Sequence, residues 1–132
     1  MPAKKREAAP PVSGDALIDT IFLIVVDSIK KHVKAIRMKR KLKHPDTNQA
    51  LYGLLIRDEN AIYIEKPVRH SKKERDMILS TLIHEVLHLV MQSSFENRIR
   101  RLEKVLMTRL TDEQKKYLRD FLPKHIVKKE PD

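Results

Sequence analysis

Residues 74–92, ERDMILSTLIHEVLHLVMQ, can be satisfied by only one kind of environment. On a helical wheel of about 100° per residue, Ser80, Thr81, His84, Glu85, His88 and Gln92 fall within roughly 140°, and Ile78, Leu79, Leu82, Ile83, Val86, Leu89 and Val90 take the rest. A helix apolar around most of its girth has to be buried by its neighbours. It is therefore expected at the centre of the fold, with its polar strip facing a cleft rather than open solvent.

The rest of the chain supplies material for such a fold. Its 132 residues suit one domain. Aromatics are 5% of the chain and Trp is absent, so Leu, Ile, Val and Met must build the core. With only two Gly, turns needing positive φ are few, which predicts helices joined by short polar loops and excludes an all-β fold. The absence of Cys removes disulfides, thiolate nucleophiles and thiolate zinc sites together; any transition metal must be held by His and carboxylates. The apolar run Ile21 to Val26, flanked by Asp19 and Asp27, is too short to span a bilayer, and Lys30, Lys31 and His32 stand where a signal-peptide cleavage site would follow it. A cytoplasmic protein with no membrane partner is expected.

Along the chain, residues 1–14 carry three Pro and a basic cluster and are predicted to be disordered. A single domain is predicted over 15–122, with a flexible tail over 123–132. Leu17, Ile18, Ile21, Ile24, Val25, Ile29, Val33 and Ile36 recur at helical steps, which predicts an amphipathic helix capped by Asp15 and running to about residue 40. His44-Pro45-Asp46 then signals a turn. LYGLLI (51–56) and AIYIE (61–65), separated by Arg57-Asp58-Glu59-Asn60, read as a hairpin. Ser71 and Glu74 form a capping box that opens the central helix, which should stop near Gln92-Ser93-Ser94. Phe95, Ile99, Leu102, Leu106 and Leu110 mark a third helix, and Thr111 with Gln114 opens a short fourth one, Asp112 to Leu122, ended by Pro123. The expected class is α+β and mainly helical, with a short hairpin or small antiparallel sheet.

The formal charge of +10 is concentrated in residues 30–43, KKHVKAIRMKRKLK, which hold eight Lys or Arg and no acid. Such a block suits nucleic acid. It also suits a solvated helix end, where cations complement the negative pole of the dipole. The second reading is favoured, because no aromatics are interleaved and no nucleic-acid-binding motif is recognisable.

The central helix carries chemistry. His84 and His88 lie one turn apart on one side and can chelate a single ion, and His84-Glu85-Val86-Leu87-His88 has the His-Glu-x-x-His form in which two His bind zinc and the Glu is a general base. A purely structural role would bury three ionisable groups on an aliphatic helix, at about 1 to 3 kcal/mol for each one left unsatisfied. A catalytic zinc needs a third protein ligand and an open position. Ser94 occupies the place of a metzincin third His, and His32, His44, His70 and His125 lie on segments that do not obviously return to the cleft. Glu96 and Glu103, seven apart on the third helix, are the candidates. Glu96 is favoured because its first-turn position is nearest His88, although Ser93-Ser94-Phe95-Glu96 also reads as a capping box. Glu103 is then an alternative ligand, an orienting partner of one, or a solvated flank.

The hairpin YGLLIRDENAIYIEKP, the motif helix ERDMILSTLIHEVLHLVM and the following ENRIRRLEKVL resemble, in that order, the compact HExxH proteins of phages, bacteria and archaea called minigluzincins, and are similar to ImmA/IrrE-type peptidases. The resemblance covers roughly residues 50–110. It implies that Glu96, opening a Glu-x-x-Ala-x-x-Phe-like segment with Ile99 and Leu102 in the small and aromatic places, supplies the third ligand. It also implies a small sheet whose edge strand pairs with an extended peptide, a role that falls to Ala61, Ile62, Tyr63, Ile64 and Glu65.

These readings converge on a zinc peptidase: His84, His88 and Glu96 as ligands, Glu85 as base, and Tyr52, Tyr63 or Tyr117 as stabiliser of the oxyanion. Two rivals are a non-catalytic metal-binding module whose basic block contacts nucleic acid, and a latent enzyme whose C-terminal KHIVKKEPD, including His125, covers the cleft.

Overall fold

A computed structural model describes residues 9–67, 71–92 and 95–123. Residues 1–8, His70, Ser93, Ser94 and residues 124–132, with the expectations placed on them, lie outside the described residues. Four helices and a three-stranded mixed sheet make a small, mainly helical α+β fold.

Helix α1 (Ala16–His32) opens where expected, because the Asp15 carboxylate accepts from the Leu17 and Ile18 amides at 3.0 and 3.2 Å. The residues just ahead of it, expected to be unstructured, are tethered instead. Gln114 donates to the Pro11 carbonyl at 3.1 Å and to Asp19 at 2.9 Å, while Asp19 also accepts from the Ser13 amide and hydroxyl, both at 2.8 Å. Those bonds, led by the Ser13 amide, hold the Asp19 carboxyl below its ordinary pKa. The helix buries Ile18, Phe22, Val25, Val26 and Ile29, leaving Leu17 and Ile24 of the expected stripe exposed.

Helix α1 does not run to residue 40. It ends at His32, and Ala35–Lys39 forms a strand, β1, that periodicity assigned to the helix. The reason is tertiary. Ile36 continues the helical stripe of Ile29 and Val33, but Ile36 and Met38 also alternate with Arg37 and Lys39 at the period of a strand. Pairing with a neighbour satisfies this segment's backbone while Ile36 and Met38 pack on the core, and that outweighs a weak local preference.

The hairpin forms as expected: β2 (Gly53–Ile56) pairs antiparallel with β3 (Ala61–Glu65), Leu54 opposite Tyr63 and Leu55 opposite Ile62. β1 pairs with β3 in parallel, from Ala35 opposite Ala61 to Lys39 opposite Glu65. The strand order is therefore β1-β3-β2. Residues 61–65 are the central strand, not the edge, since β1 occupies the side that a two-stranded hairpin would leave open; β2 is the edge on the other side.

Helix α2 (Lys72–Val90), opened by the Ser71–Glu74 capping box, lies against the inner sheet face. Leu79, Leu82, Ile83, Val86 and Leu87 are almost fully buried against Ile62 and Ile64 of β3, Phe22 and Val25 of α1, and Ile99 and Leu106 of α3 (Glu96–Arg109). Each such aliphatic side chain contributes about 1.5–3 kcal/mol on burial. This is the central helix the wheel predicts. Phe95 is the N-cap of α3 and makes no side-chain cap bond, so Glu96 is the first helical residue rather than the fourth member of a capping box. Helix α4 (Asp112–Arg119) keeps its Thr111–Gln114 box and stops three residues before Leu122. Among the described residues, no helix is long and apolar enough to cross a membrane.

Candidate metal centre

The strip on α2 and the first turn of α3 bring three side chains to one point. The Nε2 atoms of His84 and His88 are 3.1 Å apart; Glu96 Oε1 is 2.8 Å from His88 Nε2, and its Oε2 is 3.2 Å from His84 Nε2. Zinc bonds of 2.0–2.1 Å at tetrahedral angles place donor atoms about 3.3 Å apart, close to the 3.1 Å between the two imidazole nitrogens and to the approach of each Glu96 oxygen to one of them. The donor set agrees, since two imidazoles and a carboxylate suit zinc. Among the described residues, His84, His88 and Glu96 are also the cluster whose ligand atoms lie within 4.8 Å of one another.

Glu103 approaches the other nitrogen of His84. Its Oε1 is 2.7 Å from His84 Nδ1, and its Oε2 accepts from the Ser80 hydroxyl. A carboxylate on Nδ1 fixes the tautomer that leaves Nε2 free to ligate and holds the ring in place. The two glutamates therefore address opposite nitrogens of one imidazole. Burial works against the Glu103 carboxylate, but the bonds from His84 and Ser80 outweigh it and hold its pKa below the ordinary value. That same bond to Glu103 raises His84. His88 moves the other way, lowered by burial and by the neighbouring His84. For Glu96, burial is again outweighed, here by the Arg100 guanidinium at 3.0 Å and the two imidazoles, and the carboxyl is held low.

Glu85, on the same strip, points toward β2 and is 8% exposed. Burial pushes its carboxyl up to about 7; His84 pulls it down, Glu96 and Glu103 push it further up, and a hydrogen bond from the Leu55 amide favours the charged form. The approach of β2 depends on Gly53, whose part the sequence reading missed. A Cβ there would lie 2.4 Å from Thr81 Cγ2 and 3.1 Å from Glu85 Oε2. Its φ is unexceptional, so the requirement is space, and the available signal was a glycine at a strand end facing a helix. Two arginines were also missed. Arg100 braces Glu96, and Arg57, in the hairpin loop, donates to the His88 carbonyl at 3.1 Å and ties the sheet to the end of α2.

These groups line a cleft of about 880 Å³ between β2, α2 and α3, walled on the sheet side by Tyr52 to Leu55. Of the three tyrosines considered, Tyr52 lines it. Tyr63 does not, because it projects from β3 and its hydroxyl donates to Glu59 at 3.1 Å. Tyr117 does not either, since it packs edge-on between Phe22 and Phe121, with ring centroids 5.9 and 6.0 Å away. Residues 61–65 are likewise not part of the cleft wall; β2 is. His44 lines the cleft but stands apart from the cluster, its Nδ1 accepting from the Asp46 amide at 3.1 Å.

No protein-family model matches the chain, and no curated protein or solved structure matches it.

Proposed function

We propose that the protein is a cytoplasmic zinc-dependent peptidase of the HExxH, gluzincin-like kind, with His84, His88 and Glu96 as the ligands. The observation that carries this reading is the convergence of three donor atoms beside a buried carboxyl, in a cleft of about 880 Å³. The bound ion would supply a water acidified to a pKa of about 7 and polarise a carbonyl. Glu85, whose carboxyl burial raises to about 7 in the metal-free protein, would be held charged by a dication beside it and so stand ready to take a proton and return it to the leaving amine. Glu103 and Ser80 hold His84, and Arg100 holds Glu96, so the ligands are set before a substrate arrives. The edge strand β2, rather than β3, is placed to pair with an extended peptide. Tyr52 is the tyrosine positioned to approach a developing oxyanion.

The test is Glu85→Gln assayed against a mixed peptide library with zinc present. Zinc content should be retained while cleavage falls about 10²- to 10⁴-fold. Unchanged turnover rejects the role of Glu85, and a wild-type protein that cleaves nothing while holding zinc rejects the peptidase.

A further inference from the structure

Because α1 ends at His32, its dipole accounts only for Lys30 and Lys31 in the basic segment. The other six cations, Lys34, Arg37, Lys39, Arg40, Lys41 and Lys43, lie on β1 and the turns flanking it, and all are exposed. Strand geometry decides where two of them point. Ile36 and Met38 pack on the core, so Arg37 and Lys39 project from the opposite, outer face of the sheet. Ile62 and Ile64 are buried on the inner side, which puts Tyr63 on the outer face as well, directly across from Arg37 on one side and Leu54 on the other.

Among the described residues, the helices pack on the inner face through Ile62, Ile64 and Leu55. The outer face thus presents a half-buried aromatic on the central strand, flanked by an apolar residue and two cations. Two acids reach this face: Glu59 accepts from the Tyr63 hydroxyl at 3.1 Å and fixes the tip of its ring, and Glu65, beside Lys39, accepts from the Leu42 amide at 2.9 Å, which anchors the turn that carries Lys41. Leu42 and Ala61 are buried and cover part of this face, and edge-strand protection explains lysines on β1 but not a half-exposed aromatic beside them.

We propose that this outer face binds single-stranded nucleic acid, with Arg37, Lys39 and Lys41 engaging phosphates and Tyr63 stacking a base. Unstacked bases suit a sheet face bearing an aromatic, whereas a duplex groove is read by an inserted helix or ribbon. The site lies on the far side of the sheet from the metal centre and does not depend on the peptidase reading.

The test is fluorescence anisotropy of the full chain, with and without added zinc, with labelled 20-nucleotide oligo(dT) and oligo(U), titrated from low to moderate salt. Binding of either strand is expected to weaken with a log–log slope of about −2, as three phosphate contacts on a single strand require. Tyr63→Ala should cost about ten-fold in affinity. Arg37→Ser with Lys39→Ser should weaken binding and flatten the slope, while circular dichroism and thermal midpoint confirm that each variant is folded. No binding at low salt overturns the proposal. So does equal affinity for a duplex with Tyr63→Ala unchanged, which would mean an unspecific polyanion surface. Tighter binding to phosphatidylserine vesicles than to either strand overturns it in favour of a lipid surface.

Discussion

Between Ser80 and His88, α2 turns five polar side chains inward along a strip where each is met by another residue; between Lys30 and Lys43, eight cations are turned out to water along a helix end, an edge strand and a turn. The first region is expensive and specific. Glu85 is buried and the others are half-buried, so the bonds from Glu103, Glu96 and Leu55 must offset desolvation, and removing one partner strands another. In the second region the charged ends are exposed, with Lys30 reaching the Tyr117 hydroxyl at 3.4 Å, and the identity of any one side chain matters little to the fold.

The contrast can be broken most directly at His84. His84→Ala removes a proposed ligand and takes the imidazole away from Glu103; on the zinc reading, zinc measured by elemental analysis after gel filtration should fall from one equivalent per chain to none. With it should go the zinc-dependent gain in stability, about 2.7 kcal/mol at zinc a hundred-fold above Kd. Retention of stoichiometric zinc would show that the two imidazoles are not the grip.

Glu85 offers the next largest effect, read by urea unfolding of metal-stripped protein. Its carboxyl is raised in the folded state, so the folded chain binds the proton more tightly than the unfolded chain does. That contribution is fully present below about pH 4.5 and is lost as pH climbs to about 7. At pH 7.5 Glu85→Gln should therefore be more stable than the wild type by up to about 3 kcal/mol, an advantage that shrinks toward pH 5. A difference independent of pH would mean that Glu85 is not held protonated by burial.

Glu103→Ala should weaken zinc 10- to 100-fold in a competition titration with a chromophoric chelator, because His84 keeps its ring but loses what orients it. A complete loss would make Glu103 a ligand in its own right. At the small end, Arg37→Ser with Lys39→Ser should change unfolding free energy by no more than about 0.5 kcal/mol per site. A larger loss would mean that the basic strand is part of the architecture rather than a surface laid over it.

How much of this was legible varies with the range of the forces involved. The central helix, its capping box and the hairpin follow from local patterns: an apolar girth, Ser71 with Glu74, and two β-prone runs around a four-residue turn. β1 was not legible, because Ala35 to Lys39 satisfies helical and strand periods equally well until β3 offers a partner. For the same reason β3 read as an edge. Glu96 and Glu103 were both identified, but seven residues of spacing places them on one side of α3 and leaves open which one meets Nε2 and which Nδ1.

By itself the sequence determined that two imidazoles and an acid share one buried helical face, since a spacing of four residues is a matter of helix geometry alone. The tertiary structure decided which carboxylate completes the cluster, which strand borders the cleft, and that Gly53 must leave room for Glu85. Those outcomes depend on how separate elements approach one another, and no local periodicity encodes the distance between a strand and a helix that is far from it in the chain.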